Sequence, residues 1–375
     1  MNDSSVLFEQ VLTESGHTVG CAQLNAEKSL NALSLSMIRL LDRRLREWAD
    51  DPSVVCVVLY GAGEKAFCAG GDVRSLYHAM KEYRGAPPDP AGVAFFAEEY
   101  RLDYLLHRYP KPVLVWGSGI VLGGGLGLMV GASHRVVTET SRVGMPEISL
   151  GLFPDVGGSW FLQRMPRQAG MFLALTGAHI NGHDALAGGL ADYFLRSSER
   201  DVVLAELSRI AWTGAANADK QALSASLRER SQAATSLMPE SNLQRHARLI
   251  ETLCTGSTLK RVVANIVACA SDDVWLKRAA STLAAGSPTT AALCWELQRR
   301  AQSMSLEDTF RMELTVAVQC CAHPDLAEGV RALLIDKDNA PRWTPPTLDE
   351  ITPAWLDEHF AEPTWPGGKH PLAEL

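Results

Sequence analysis

Two carboxylates, Glu147 and Asp155, stand eight residues apart in a stretch that is otherwise apolar and bent by glycine and proline: Met145-Pro146-Glu147-Ile148-Ser149-Leu150-Gly151-Leu152-Phe153-Pro154-Asp155-Val156-Gly157-Gly158. Carboxylates among apolar residues are costly to bury unless they are paired, hydrogen-bonded or used in chemistry. Upstream lies Gly123-Gly124-Gly125, and glycines let main-chain amides come close to a ligand. A second glycine turn, Phe67-Cys68-Ala69-Gly70-Gly71-Asp72, follows a strand-like run. Two N–H groups aimed at one oxygen stabilise an enolate or a tetrahedral oxyanion, and losing one such donor costs about 3 kcal/mol. Gly71 supplies one candidate donor. Gly124, at a helix N-terminus whose dipole adds positive potential, supplies the other.

Other chemistries find little support. Gly61-Ala62-Gly63-Glu64-Lys65-Ala66 loosely fits a dinucleotide fingerprint, but another glycine turn follows where that fold needs a helix. There is no GxSxG elbow and no HExxH, and the ten histidines are dispersed, so no metal is assigned. His107, His179 and His183 read as surface or core residues. The eight cysteines form no CxxC pair and read as buried reduced thiols.

The elements that must position these groups follow from hydrophobic patterning. Strands are expected at Val6–Val11, Thr18–Leu24, Val54–Tyr60, Val113–Trp116 and Arg135–Thr138. Helices are expected over Ser34–Trp48 with Ser34 as N-cap, Phe95–Tyr109 and about 124–131. Val54–Tyr60 is continuously apolar, as in a strand covered on both faces. Pro112–Ser133 carries no charge over 22 residues but holds seven glycines, which fits a buried strand, a turn and a short helix better than a membrane span. The alternation predicts an α/β core over residues 1–198 holding the site. Residues 199–375 form a helical region with an extended Pro-rich tail at Ala340–Pro346. Thr213–Ser241, rich in Ala and Ser, reads as a mobile or lid-like stretch. Helices are expected from Ser287-Pro288-Thr289 to about Ser303 and from about Leu306 to Cys321.

With 375 residues, 46% hydrophobic and 21% charged, the chain has the composition of a globular enzyme. A net charge of −8 argues against nucleic acid as a partner. The start, MNDSSVLFEQ, has neither a basic n-region nor an apolar h-region and is not Arg-rich. The expectation is a cytoplasmic protein, or one of the mitochondrial matrix if a presequence has been removed.

These residues resemble the crotonase (enoyl-CoA hydratase/isomerase) superfamily. The matching pieces are Lys28-Ser29-Leu30-Asn31-Ala32-Leu33, Ala66–Asp72, Gly123-Gly124-Gly125 and Met145-Pro146-Glu147. Within it the chain is most similar to the acyl-CoA thioester hydrolases, through Phe95–Tyr100, Gly151–Gly158, Glu328–Asp338 and Pro341-Arg342-Trp343. The resemblance implies a spiral of ββα units followed by a helical C-terminal region. It implies an acyl-CoA whose thioester oxygen lies between the amides of Gly71 and Gly124, with CoA running along Lys28, Ser29, Leu30 and Ala32 and along Ala69, Gly70 and Asp72. Asp72 itself also reads as a turn or cap residue. Glu99 matches a substrate-contacting position. Coenzyme A enters as part of the substrate and no separate cofactor is implied.

One departure matters. Crotonase-type hydratases carry a second glutamate two residues past the glycine triplet, and here that position is Gly127. Hydration uses two carboxylates to place water across a double bond. Glu147 remains, and Asp155 supplies a carboxylate placed differently, which is the hydrolase pattern. Glu147 is then the group that attacks the thioester or activates water. Asp155 accepts a hydrogen bond from a substrate 3-hydroxyl, unless it merely caps a helix near 156–160. The expected substrate is 3-hydroxyisobutyryl-CoA, from valine breakdown, with 3-hydroxypropionyl-CoA one methyl away. Two alternatives stand beside this: a hydratase or isomerase of the same fold, and a non-catalytic crotonase-fold binding protein. A homo-oligomer is possible; no membrane partner is expected.

Overall fold

The computed structural model describes residues 4–375; the first three residues of the N-terminal stretch read above lie outside it. Among the described residues ten strands form two sheets. They are β1 (Val6–Leu12), β2 (Thr18–Leu24), β3 (Val54–Gly61), β4 (Ala66–Cys68), β5 (Val113–Gly117), β6 (Ile120–Leu122), β7 (His134–Val137), β8 (Arg142–Gly144), β9 (Ile180–Asn181) and β10 (Tyr193–Phe194). The six-stranded sheet runs β1-β2-β3-β5-β7-β10 and the four-stranded sheet β4-β6-β8-β9. β1 and β2 are antiparallel, whereas β2, β3, β5, β7 and β10 pair in parallel. The strand pairs β3/β4, β5/β6 and β7/β8 each give their first member to the large sheet and their second to the small one. Successive repeats therefore step along both sheets together, which is the ββα spiral expected from the resemblance.

β3 sits centrally, bonded on both edges, and its first six residues are all buried; this is why its sequence is apolar without alternation. α1 (Leu35–Asp50) begins where the Ser34 hydroxyl accepts the Met37 N–H at 3.3 Å, and it buries Met37, Ile38, Leu41, Leu45 and Trp48 on one stripe. α2 (Val73–Glu82), α3 (Pro90–His107) and α4 (Gly124–Gly131) follow. The uncharged segment 112–133 becomes β5, β6 and α4, and among the described residues no helix is long and apolar enough to cross a membrane. After β3 the glycine turn leads into β4, not into the helix a dinucleotide fold needs.

Beyond residue 199 the described elements are helical. Thr213–Ser241 differs from the lid expected there. Ala216–Ala234 is a helix, and its Leu223 and Leu227, both 0% exposed, join Val55, Val58, Trp116 and Trp212 in one apolar cluster. Ala and Ser are compatible with a helix, and a four-residue leucine spacing is enough to dock it. Ser287 caps Pro288–Ala301, and Ser305 caps Leu306–Ala322. The Pro-rich tail is irregular at 340–346 but then forms the helix Pro353–Phe360. The signature Glu328–Asp338 is an ion cluster. Arg331 lays a fork on Glu328 at 2.9 and 2.8 Å and reaches Asp336 and Asp338 at 2.7 Å each.

The chain packs as two compact units. One holds residues up to Gly71, Leu102–Val143 and Ile180–Gln244; the other holds Asp72–Arg101, Gly144–His179 and Arg245–Leu375. They interleave along the sequence, so packing divides the chain differently from the change in composition near residue 199. Leu223→Ala should cost roughly 2–5 kcal/mol of stability in urea unfolding, because it opens a cavity in the first unit's core. A mobile lid there would leave stability unchanged.

Candidate active site

In the first unit, the stretch from Lys28 to Ala32 is a tight left-handed turn. Lys28 and Ser29 are exposed within the 3-10 turn Glu27–Ser29, and Leu30 and Asn31 have φ of 55° and 57°. Asn31, 1% exposed, holds the turn. Its amide nitrogen donates to the carbonyls of Ala62 (3.0 Å) and Ala66 (2.9 Å), and its oxygen accepts the Ala26 N–H at 3.0 Å. Asn31 belongs to the Lys28–Leu33 motif, and nothing in that motif alone marks it for this role. Ala69 N–H donates to Leu30 O at 3.0 Å and Leu33 N–H to Gly70 O at 2.8 Å, so the two predicted CoA segments are stitched together. Ala32 is half-buried beside them.

The two glycine turns also lie against each other. A Cβ on Gly70, whose φ is +102°, would sit 3.2 Å from the Leu122 carbonyl and 3.7 Å from the Gly123 Cα. A Cβ on Gly125 would sit 2.7 Å from the Cys68 Cβ, closer than side chains approach. Gly124 is the first residue of α4, where an N–H has no intrahelical acceptor. Gly71 pairs with Leu33 in an isolated bridge, and no main-chain acceptor takes its N–H among the described residues. Gly127 is buried within α4, which contains no carboxylate.

The acidic residues gather in the second unit. Glu147 opens the 3-10 turn Glu147–Ser149, whose Ile148 is gripped from two sides: a Cβ on Gly177 would sit 3.0 Å from its Cγ2, and Ser287 N–H donates to its carbonyl at 3.0 Å. Glu147 is 4% exposed and its Oε2 has no hydrogen-bond partner. Burial, then the charge of Asp155, push its pKa well above the usual carboxylate range. Asp155 accepts the Tyr100 hydroxyl at 2.8 Å on Oδ2, and burial lifts it to about 7 against that bond. Its side chain is not a helix cap, since Gly157 is the N-cap of α5 (Gly158–Gln163). Glu99, on α3, is 2% exposed with Oε1 unpartnered, and burial and Asp155 raise it well above the usual range. Asp72 caps α2, accepting Ser75 N–H at 3.2 Å and Ser75 Oγ–H at 2.6 Å, which fits its reading as a cap residue.

Two further residues belong to this cluster, Tyr100 and Glu313. Tyr100 follows Glu99 and lies inside a quoted signature. Glu313, fully buried in Leu306–Ala322, accepts Gly157 N–H at 2.7 Å and Ser159 N–H at 2.8 Å. Burial raises it to about 8 against those bonds. Its signal was present: Phe310, Glu313, Leu314 and Ala317 share one helix stripe, and a carboxylate on such a stripe is anomalous. Four buried carboxyls close enough to shift one another cannot all ionise, so the cluster holds protons and titrates as a group.

Successive strand pairs shared between two sheets are the architecture of the crotonase fold. The chain belongs to the enoyl-CoA hydratase/isomerase family, whose model matches residues 19–360. It is 37% identical to a zebrafish (Danio rerio) protein named "3-hydroxyisobutyryl-CoA hydrolase, mitochondrial", over 96% of this chain and 90% of that one. The human protein of the same name is 34% identical over 94% and 88%. Among solved structures, one titled a carnitinyl-CoA dehydratase from Mycobacterium thermoresistibile superposes with a TM-score of 0.83 at 36% identity, over 96% of this chain and 97% of that one. One titled an enoyl-CoA hydratase from Rhodobacter sphaeroides gives 0.80 at 32% identity, over 96% and 98%. The names of these hydrolase relatives carry the word mitochondrial, which overturns the expectation of a cytoplasmic protein: the absence of a leader-like start did not license it.

The raised acids set a pH dependence of stability. Asp155 and Glu313 keep protons in the folded state that the unfolded chain releases from about pH 4 upward. Unfolding then releases protons, so stability should fall as pH rises from about 4 through 7 and 8. Thermal melts of Asp155→Asn should show a shallower decline over that window than wild type; parallel slopes would contradict the assignment.

Proposed function

We propose that this protein hydrolyses a short 3-hydroxyacyl-CoA thioester, with 3-hydroxyisobutyryl-CoA of valine breakdown as its substrate. The observation that carries the reading is Glu147. It is a buried carboxylate with an unpartnered oxygen, in a chain that has Gly127 where hydratases have their second acid and that is similar along nearly its whole length to named hydrolases. A thioester is already activated, so one carboxylate, an oxyanion hole and water suffice.

In this mechanism the thioester oxygen accepts the N–H groups of Gly71 and Gly124, and a Glu147 oxygen attacks the carbonyl carbon. The tetrahedral oxyanion collapses, the C–S bond breaks and CoA leaves as its thiolate. The resulting mixed anhydride is opened by water, which frees the acid and restores Glu147. Asp155, oriented by Tyr100, accepts the substrate 3-hydroxyl, and Glu99 contacts the acyl group. Lys28, Ser29, Leu30, Ala32, Ala69, Gly70 and Asp72 line the run of CoA. Direct activation of water by Glu147 is the competing route. Single-turnover hydrolysis in heavy-oxygen water tests the anhydride opened at the Glu147 carbonyl: label in Glu147 supports it, and label only in the product acid removes that route.

The solved relatives titled a dehydratase and a hydratase favour a second reading, addition or loss of water at an enoyl-CoA. A panel of CoA esters decides. Thiol release from 3-hydroxyisobutyryl-CoA is expected, with no loss of enoyl absorbance from crotonyl-CoA; the reverse pattern overturns the hydrolase. Glu147→Gln should lower thiol release roughly 10³-fold or more, and an unchanged rate would favour a non-catalytic protein. Gly124→Pro removes one donor at a helix position where proline is tolerated, and should lower kcat about 10²- to 10³-fold. Glu147 must be ionised to attack. The acid limb of kcat/KM should therefore rise with pH and lie above the ordinary glutamate range; a limb at the ordinary value would count against Glu147.

A further inference from the structure

Asp155 stands at the head of a strained turn. Val156, a β-branched residue that is fully buried, has φ of +51°, and Gly157 follows at +84°. A β-branched residue in the left-handed region is an outlier that persists only where its surroundings over-determine it. The surroundings here are identifiable. Glu313 takes the N–H of Gly157 on one oxygen and that of Ser159 on the other, Gly158 N–H returns to the Asp155 carbonyl at 2.6 Å, and Phe310 lies 3.3 Å from where a Gly157 side chain would start. Glu313 therefore grips the backbone on the far side of Val156 from Asp155. On the near side, Tyr100 donates to Asp155 Oδ2, while Oδ1 meets no side-chain donor among the described residues.

We propose that Glu313 is a specificity-determining positioning residue: by clamping the amides of Gly157 and Ser159 it holds Val156 left-handed, so that Asp155 keeps Oδ2 on Tyr100 and presents Oδ1 to the 3-hydroxyl of the acyl group. The inference rests on the hydrolase reading and deepens it. It places the discrimination between hydroxylated and plain acyl chains in a residue more than 150 positions further along the chain, one that touches no substrate. A clamp that merely stabilised the fold would affect all acyl-CoAs alike. A clamp that aims Asp155 affects only those bearing the hydroxyl.

The test compares 3-hydroxyisobutyryl-CoA with isobutyryl-CoA, which lacks only that hydroxyl, in wild type, Glu313→Gln and Glu313→Met. Gln keeps one acceptor. Met keeps the volume and removes both acceptors and the buried acid, and circular dichroism and thermal melts of both variants establish that the chains compared are folded. Both variants should lose about 10- to 100-fold in kcat/KM on the hydroxylated ester, the size of a lost hydrogen bond to a charged group, with little change on isobutyryl-CoA. Asp155→Asn should show the same collapse of the ratio. Equal loss on both esters, or an unchanged ratio, overturns the role of Glu313 while leaving the hydrolase intact. A wild type that releases thiol equally from both esters removes the hydroxyl-reading role of Asp155, and that of Glu313 with it. A wild type that releases none removes the hydrolase itself.

Discussion

Burying several carboxyls together is the constraint on which the second compact unit is organised. Glu99, Glu147, Asp155 and Glu313 are each at most 5% exposed, and each is raised in pKa first by loss of water. No arginine or lysine hydrogen-bonds any of them among the described residues. The compensation is of a different kind: a phenol on Asp155 and two main-chain amides on Glu313. Such bonds offset part of the desolvation without cancelling the charge, and Asp155 and Glu313 are raised to about 7 and about 8. Glu147 and Glu99 each keep an unpartnered buried oxygen, which costs about 1–3 kcal/mol per group. Unsatisfied buried groups of this kind make Glu147 and Glu99 candidates for contact with a ligand.

The first unit meets a different constraint, the close approach of backbone to backbone at its glycine turns. Asn31 ties three backbone groups, the Leu30–Leu33 segment is laced to Ala69–Gly71, and Gly70 and Gly125 permit approaches that a Cβ would block. The strain in the molecule is local and paired with restraints. The left-handed, β-branched Val156 lies between Asp155 and the amides that Glu313 grips, so one strained residue adjoins the acid cluster.

The presence of relatives titled hydratase and dehydratase alongside others named hydrolase shows how little of an activity resides in this scaffold. This chain has Gly127 within α4 and carries its buried acids elsewhere, at Glu147 and Asp155.

Local patterning was legible in the sequence. The bounds of β2 and α4, the Ser34 cap and the continuous burial of β3 follow from side-chain periodicity and capping chemistry, which act over a few residues. The glycine cradle and the carboxylate pair 147 and 155 were visible because glycine and acid are anomalous in apolar company. Three matters were decided only by tertiary structure. The Ala/Ser-rich 216–234 segment became a docked helix because two leucines found a core contributed by distant strands. Asn31 acquired its role from carbonyls 31 and 35 residues away. Glu313 became the partner of amides 156 and 154 residues away. A sequence displays the type of a buried polar group, but its hydrogen-bond partners come from chain brought near by folding, and those partners decide whether the group caps, clamps or reacts.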